Sequence, residues 1–246
     1  MPNIHQQNCY KEFEQLMTSV KFDNEFIKKN KNKIKQIFSR IYTINMLKNR
    51  PEVKAIFDNE FDMTFTLLLE SSYSLFSAQS RASLLLLRSS LEATLKFVTE
   101  KERNWIINLK GTNIEFQPLN YRFVETSNSL LNVIKKHVSK DKYPEYYKTI
   151  ERSVTYYKQL CSIVHSNGVS IPVGLSYFYD ELNENTLINK EEFFKLYISS
   201  LDTIFTLLYF LLRNSLVHWD TYELSDILSV MFKDNKKQRY LNYIKF

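Results

Sequence analysis

The sequence predicts an all-α protein. Its 246 residues include only 3 Gly and 5 Pro, so few positions suit the tight turns on which hairpins, sandwiches and phosphate-binding loops depend. Apolar side chains recur at spacings of three and four residues through most of the chain, which is the helical period. Hydrophobic residues make up 44% of the chain, enough to bury a substantial core, which excludes disordered and disulfide-dependent classes.

Eight helices follow from this period and from the turn residues between them. Asp23 can cap the second helix, Pro51 ends it and opens the third, and Pro144 suits the first turn of the sixth. Gly111 and Pro118 mark a loop before the fifth. In chain order the predicted helices cover 8–20, 23–48, 52–78, 81–109, 123–138, 145–165, 191–217 and 222–243.

The chain contains no obvious linker, internal repeat or low-complexity segment. We therefore expect one compact helical domain over residues 51–246, preceded by an extension of two helices over residues 1–50. The longest apolar run, Thr203 to Leu212, is about half as long as a bilayer requires. It predicts a buried helix, and we expect no membrane contact.

Cysteine content and the chain start indicate a reduced, cytoplasmic protein. Cys9 and Cys161 are too few for a disulfide framework. The first fifteen residues lack a cationic segment followed by an apolar stretch, which is the pattern of a secretory signal.

The charge balance favours a polyanionic partner without requiring one. Lys and Arg number 33 against 27 Asp and Glu, giving a net charge of +6. The sequence contains two clusters of basic residues. Each cluster is open to two interpretations, a nucleic-acid-binding patch or a solvated surface. They consist of Lys28, Lys29, Lys31, Lys33 and Lys35, and of Lys233, Lys236, Lys237, Arg239 and Lys245.

Metal and cofactor chemistry receives no support from the sequence. The four histidines lie in none of the spacings that present metal ligands together. Dinucleotide and Walker-type nucleotide sites need glycine-rich loops that are absent from the chain. We therefore expect neither a metal nor a cofactor.

The first candidate catalytic set is Arg213, Asn214 and His218, at the end of the most hydrophobic predicted helix. Asn214 and His218 are four residues apart and share a helix face, and Asp220 or Thr221 can cap the helix that follows. An imidazole can exchange a proton with a ribose hydroxyl, while a guanidinium holds the charge that builds on phosphate. The structural alternative is that Arg213 pairs with an acid and His218 ends a helix.

The second candidate set is Arg88, Glu92 and His165. Arg88 and Glu92 are one helical turn apart among leucines, so we expect the pair to lie against the core, where charges need partners. His165 ends the predicted helix 145–165. The alternative for His165 is a satisfied core histidine.

Both sets carry a resemblance to the HEPN superfamily. Arg213-Asn214-x-x-x-His218 resembles its Arg-x(4–6)-His signature, and the string RNSLVHWDTYELSDIL is similar to HEPN toxins of bacterial toxin–antitoxin pairs. The strings LLLLRSSLEATLKFV and YYKQLCSIVHSNG resemble HEPN-like abortive-infection proteins, although the Arg expected upstream of His165 is absent. The resemblances cover about residues 80–232, and they compete, because the fold normally has one His-bearing helix end.

The resemblance implies a HEPN-like helical bundle, a homodimer, and metal-independent cleavage of RNA in a toxin or phage-defence system with a restraining partner. His218 would be the general acid or base and Arg213 the transition-state clamp, while Asn214 would orient His218 or contact phosphate. Alternatively, Arg88, Glu92 and His165 form the site and the first set is a buried cluster, or both sets converge. The non-enzymatic alternative is a helical binding or regulatory module.

Overall fold

The fold is known from a computed structural model that describes residues 2–19, 25–110, 116–119, 122–164 and 188–245. These residues form ten α-helices and one 3-10 helix (Pro51–Val53) with no strand, which confirms the all-α prediction. The helices are α1 (Ile4–Ser19), α2 (Glu25–Lys48), α3 (Asn59–Phe76), α4 (Ser80–Lys110), α5 (Phe123–Ile134), α6 (Pro144–Val164), α7 (Lys190–Leu211), α8 (Arg213–Leu216), α9 (Thr221–Ser229) and α10 (Asp234–Lys245).

Side-chain caps explain why two helices begin at residues other than those predicted. The Asn3 carboxamide oxygen accepts from the Gln6 backbone N–H at 2.8 Å, and the Gln6 side chain accepts from the Asn3 N–H at 3.0 Å. This reciprocal box starts α1 at Ile4 rather than at residue 8. The third helix begins at Asn59 rather than at residue 52, because Asp58 caps it through the N–H of Glu60.

The last two predicted helices are each divided in the structure. Leu212 has φ −82° and ψ 0°, so α7 ends there and α8 is a separate single turn. Asp220 accepts a hydrogen bond from the N–H of Glu223 at 2.9 Å, which confirms it as the cap of the next helix. A turn between Ser229 and Asp234 then separates α9 from α10.

Helix α7 lies at the centre of the bundle and packs against α2, α4 and α6. Every residue from Thr203 to Leu212 is buried, as predicted for this run. By length and composition α7 is long and apolar enough to cross a membrane, but 78% of its most apolar window lies inside the bundle.

The first two helices share the core of the other helices. Apolar residues of α2 such as Ile34 and Ile37 belong to the same buried cluster as α4 and α7. Asp202 on α7 accepts from Arg40 on α2 at 2.6 Å and from Lys236 on α10 at 2.8 Å. Helix α2 therefore contacts the rest of the bundle through both apolar and ionic side chains.

We expect Tyr197→Phe to reduce the free energy of unfolding by about 1 kcal/mol. The buried Tyr197 hydroxyl lies 2.6 Å from the Ser71 hydroxyl, which itself donates to the Ser83 carbonyl, so this bond joins α7 to α3 and α4. Urea unfolding measures the change. Tyr222→Phe is the control, because Tyr222 is 84% exposed; equal losses in both variants would contradict the assignment.

Candidate functional site

A buried carboxylate, Glu102 of α4, gathers polar side chains from three other parts of the chain. Arg213 donates through both terminal nitrogens, at 2.5 Å to Oε1 and 3.0 Å to Oε2. The side chains of Arg213 and Glu102 are only 5% and 1% exposed. A bidentate guanidinium–carboxylate pair of this kind combines charge with fixed geometry.

The remaining lone pairs of Glu102 are also occupied. Nε2 of His137, in the turn after α5, lies 2.6 Å from Oε2, and the Tyr146 hydroxyl donates to Oε1 at 2.9 Å. Nδ1 of His137 faces the Val133 carbonyl at 3.1 Å. We call these four residues, Glu102, His137, Tyr146 and Arg213, the Glu102 network.

Electrostatics keep Glu102 ionised inside the core. Burial by itself raises the pKa of Glu102, but the contact with His137 and the charge and hydrogen bonds of Arg213 outweigh burial, so the pKa lies below its ordinary value. Burial and the neighbouring carboxylate raise the pKa of Tyr146 well above its usual value. Tyr146 therefore remains a protonated donor to Glu102.

The structure does not bring Arg213 and His218 together at an open groove. Arg213 points into the core, where Glu102 occupies both terminal nitrogens and the Phe210 carbonyl takes a further bond at 2.9 Å. Asn214 and His218 are exposed. Arg213 therefore pairs with an acid, which is the structural alternative that the sequence left open. A phosphate group could bind Arg213 only after this pair had broken.

Side chains of Lys245 and Arg50 hold the turn that carries His218. Lys245 donates to the carbonyls of Val217, at 2.9 Å, and Trp219, and the guanidinium of Arg50 lies 4.9 Å from the Trp219 ring centroid. The imidazole of His218 makes no hydrogen bond or ion pair with the part of the chain that the structure describes.

The second predicted set lies in a half-buried polar group between α4 and α6, which we call the Arg88 cluster: Arg88, Glu92, Lys96, Tyr157 and Cys161. Nη1 of Arg88 is 3.7 Å from the Cys161 sulfur, and its guanidinium lies 5.8 Å from the Tyr157 ring centroid. The Tyr157 hydroxyl donates to Glu92 at 3.4 Å, and Lys96 pairs with the same carboxylate at 3.2 Å.

Tyr157 is a structural support of this cluster. Its ring stacks on Phe123 with centroids 4.1 Å apart and planes 6° apart. Burial, followed by the charge of Glu92, raises the pKa of Tyr157 to about 12. With Phe123 on the ring and Arg88 nearby, Tyr157 is poorly placed to stack on a nucleobase. His165 follows α6 by one residue in sequence and lies outside the described residues.

The two basic clusters are largely neutralised. At least six of their ten cations lie within 4 Å of a carboxylate of the described residues, which favours the solvated-surface interpretation. The pairs are Lys29–Glu25, Lys31–Glu14, Lys33–Glu191, Lys236–Asp202, Lys237–Asp234 and Arg239–Glu145. Among the described residues, no group of three or more His, Cys, Asp or Glu side chains is arranged to hold a metal ion.

Sequence reasoning missed Glu102, His137 and Tyr146. Glu102 sits in the highly charged string TEKERNW, which looks like a solvated helix face. Its position nevertheless continues the buried stripe of α4 formed by Leu91, Leu95, Val98 and Ile106. A carboxylate at a buried position of a helix needs a buried partner. Its place on this stripe was therefore the one signal in the sequence that such a partner existed.

We expect Glu102→Gln to lower the free energy of unfolding by about 3–5 kcal/mol, because it leaves Arg213 buried without its counter-charge. Chemical denaturation measures the loss. Glu100→Gln is the matched control, since Glu100 is exposed on the same helix and should change stability by no more than about 0.5 kcal/mol. Similar losses in the two variants would contradict a buried pair.

The lowered pKa of Glu102 also predicts an acid-sensitive fold. Its stabilising contribution is complete above its ordinary pKa of 4.5 and disappears as pH falls through the lower folded-state pKa. Urea unfolding between about pH 7 and pH 3 should show a shallower acid limb for Glu102→Gln than for wild type. Asp58, whose pKa is lowered by its hydrogen bond from Lys101, contributes equally to both proteins. Superimposable acid limbs would refute the prediction.

The chain matches no protein-family model, no curated protein and no solved structure. The resemblance to the HEPN superfamily therefore rests on the residues of the sequence that carry it.

Proposed function

We propose that the chain is a metal-independent endoribonuclease whose cleavage site is centred on Arg88, with Glu92 and His165. The observation that carries this choice is the contrast between the two candidate arginines. Arg213 is 5% exposed and bound to both oxygens of Glu102. Arg88 is half-buried, beside a thiol and an aromatic ring, so it lies nearer to solvent than the buried Arg213.

In this proposal each group has a distinct chemical role. His165 takes the proton from the ribose 2′-hydroxyl, whose oxygen attacks phosphorus as the bond to the 5′-oxygen breaks. The leaving 5′-oxygen takes a proton from a water molecule, and the imidazolium of His165 returns its proton to the hydroxide that remains. The products are a 2′,3′-cyclic phosphate and a 5′-hydroxyl. Arg88 stabilises the charge that builds on the phosphate oxygens. Glu92, held by Tyr157 and Lys96, borders the same site and orients its polar groups.

RNA is the substrate in this proposal. The family resemblance also implies a homodimer and a partner that restrains cleavage. Both belong to the proposal, and the setting would be bacterial toxicity or phage defence in the cytoplasm.

The second candidate function is a non-catalytic helical binding or regulatory module. It is favoured by the separation of the Arg-x(4–6)-His residues, since Arg213 braces the core while His218 faces solvent. This is the arrangement expected of a helical bundle in which Arg213 stabilises the core and no Arg–His pair is assembled at the surface.

We expect purified wild type to cleave single-stranded RNA in the presence of EDTA, leaving 2′,3′-cyclic phosphate ends. Arg88→Ala should reduce the cleavage rate about 10²–10³-fold, as expected for loss of a transition-state clamp, and His165→Ala should reduce it comparably. Arg81→Ala, an exposed position on the same helix, and His218→Ala should cleave like wild type. Gel analysis of end-labelled RNA and growth of expressing cells are the two measurements.

Two outcomes would overturn the assignment. Loss of cleavage in His218→Ala with full activity in Arg88→Ala and His165→Ala would move the site to the segment after α7. Absence of cleavage and of growth arrest with wild type would favour the binding module. Thermal melting of each variant separates lost chemistry from lost folding.

A further inference from the structure

The imidazole of His137 lies between two oxygen atoms. Nε2 is 2.6 Å from Oε2 of Glu102, and Nδ1 is 3.1 Å from the carbonyl oxygen of Val133. Both distances are those of hydrogen bonds, and the His137 side chain is only 7% exposed. What these two oxygens can donate or accept therefore decides which ring nitrogens carry a proton.

Neither of the two oxygens has a proton to give. A backbone carbonyl is only an acceptor. Glu102 is ionised, because its pKa lies below its ordinary value, and it already accepts from Arg213 and from the Tyr146 hydroxyl. Both nitrogens of His137 must therefore carry a hydrogen if both contacts are hydrogen bonds. A neutral imidazole has one N–H, whereas an imidazolium has two.

The other states of the ring leave a contact unsatisfied. In either neutral tautomer, one nitrogen lone pair would face an oxygen lone pair at 2.6 or 3.1 Å. Turning the ring over would place carbon atoms against both oxygens and remove both hydrogen bonds. Buried polar groups without a partner are costly, so the geometry favours the doubly protonated ring.

Two negative charges favour a cation at His137. Glu102 of α4 supplies a full charge, and Val133 lies in the last turn of α5, where unpaired carbonyls give the helix end a partial negative charge. Arg213 of α8 opposes a second cation, but it donates to the same carboxylate and is itself neutralised there.

The other titratable groups around His137 do not supply its missing acceptor. They are Tyr146 and Tyr147 of α6, Tyr143 just before that helix, and the exposed Lys135 and Lys136 of the turn itself. Burial raises the pKa of Tyr146 and of Tyr147 above the ordinary value, so both phenols stay neutral at neutral and mildly alkaline pH.

We propose that His137 is an imidazolium in the folded protein and acts as a pH-sensitive switch that holds the end of α5 against Glu102. When the ring loses a proton to water, Nε2 keeps its hydrogen toward the charged carboxylate, where the bond is stronger. Nδ1 then presents a lone pair to the Val133 carbonyl, and the turn after α5 is released from the helix end. The inference does not depend on the nuclease proposal, since it rests on His137 and its two acceptors.

The first test compares wild type with His137→Gln by urea unfolding between about pH 5.5 and pH 9. A histidine in an unfolded chain loses its proton at about pH 6.5. An imidazolium that the fold favours stabilises the protein fully below that pH, and its contribution disappears as the pH rises. We expect the unfolding constant of His137→Gln, relative to wild type, to fall about tenfold across this range. His218→Gln, at an exposed position, is the control and should show a much smaller trend.

A constant ratio would overturn the proposal, and so would a ratio that rises with pH, which is the behaviour of a histidine buried in its neutral form. Nitrogen NMR of isotope-labelled wild type gives an answer even if His137→Gln does not fold. At about pH 7, where an unperturbed histidine is mostly neutral, both ring nitrogens of His137 should give the signal of a protonated nitrogen. One bare nitrogen at that pH would contradict the imidazolium.

Backbone hydrogen exchange tests the switch itself. The amides of His137 and Val138 donate to the Ile134 carbonyl. After correction for the intrinsic effect of pH, their protection should fall between about pH 6 and pH 9, while the amides of α7 keep theirs. Equal protection of the His137 and Val138 amides at both pH values would overturn the switch.

Discussion

The buried pair between Glu102 and Arg213 is the constraint on which the helical arrangement depends. It joins α4 to α8, and through His137 and Tyr146 it also fixes the turn after α5 and the start of α6. Ionised groups are costly in an apolar interior unless every lone pair and donor is satisfied. Glu102 meets this condition with donors on both oxygens. The network therefore specifies how four segments of the chain meet.

This pair also decides what the segment after α7 presents to solvent. The break at Leu212 turns Arg213 inward, toward Glu102, while Asn214 and His218 remain outside. The six residues 213–218, which look like one catalytic motif, are thus divided between the core and the surface. A guanidinium already bound to both oxygens of a carboxylate stabilises the fold and has little capacity left for a substrate phosphate.

Helix α4 organises the molecule because its successive faces meet different environments. Its buried stripe packs on α7 and includes Glu102, and its side toward α6 carries Arg88 and Glu92. Its outer side forms a hairpin with α3 and borders a groove that includes Glu92, Lys96 and Glu100. The Glu102 network and the proposed cleavage site therefore lie on different sides of one helix.

The sequence by itself determined the all-α class, the extent of α4 and α6, the start of α7, and a cap at Asp220 or Thr221, because apolar period and capping residues act locally. It did not determine that Asn3 and Asp58 set two helix starts, or that the last two predicted helices are each divided. It also placed Arg213 in a catalytic set, since nothing local to residues 213–218 reveals a carboxylate more than a hundred positions away. The partner of a buried charge is chosen by which helices pack together, and only the tertiary structure supplies that information.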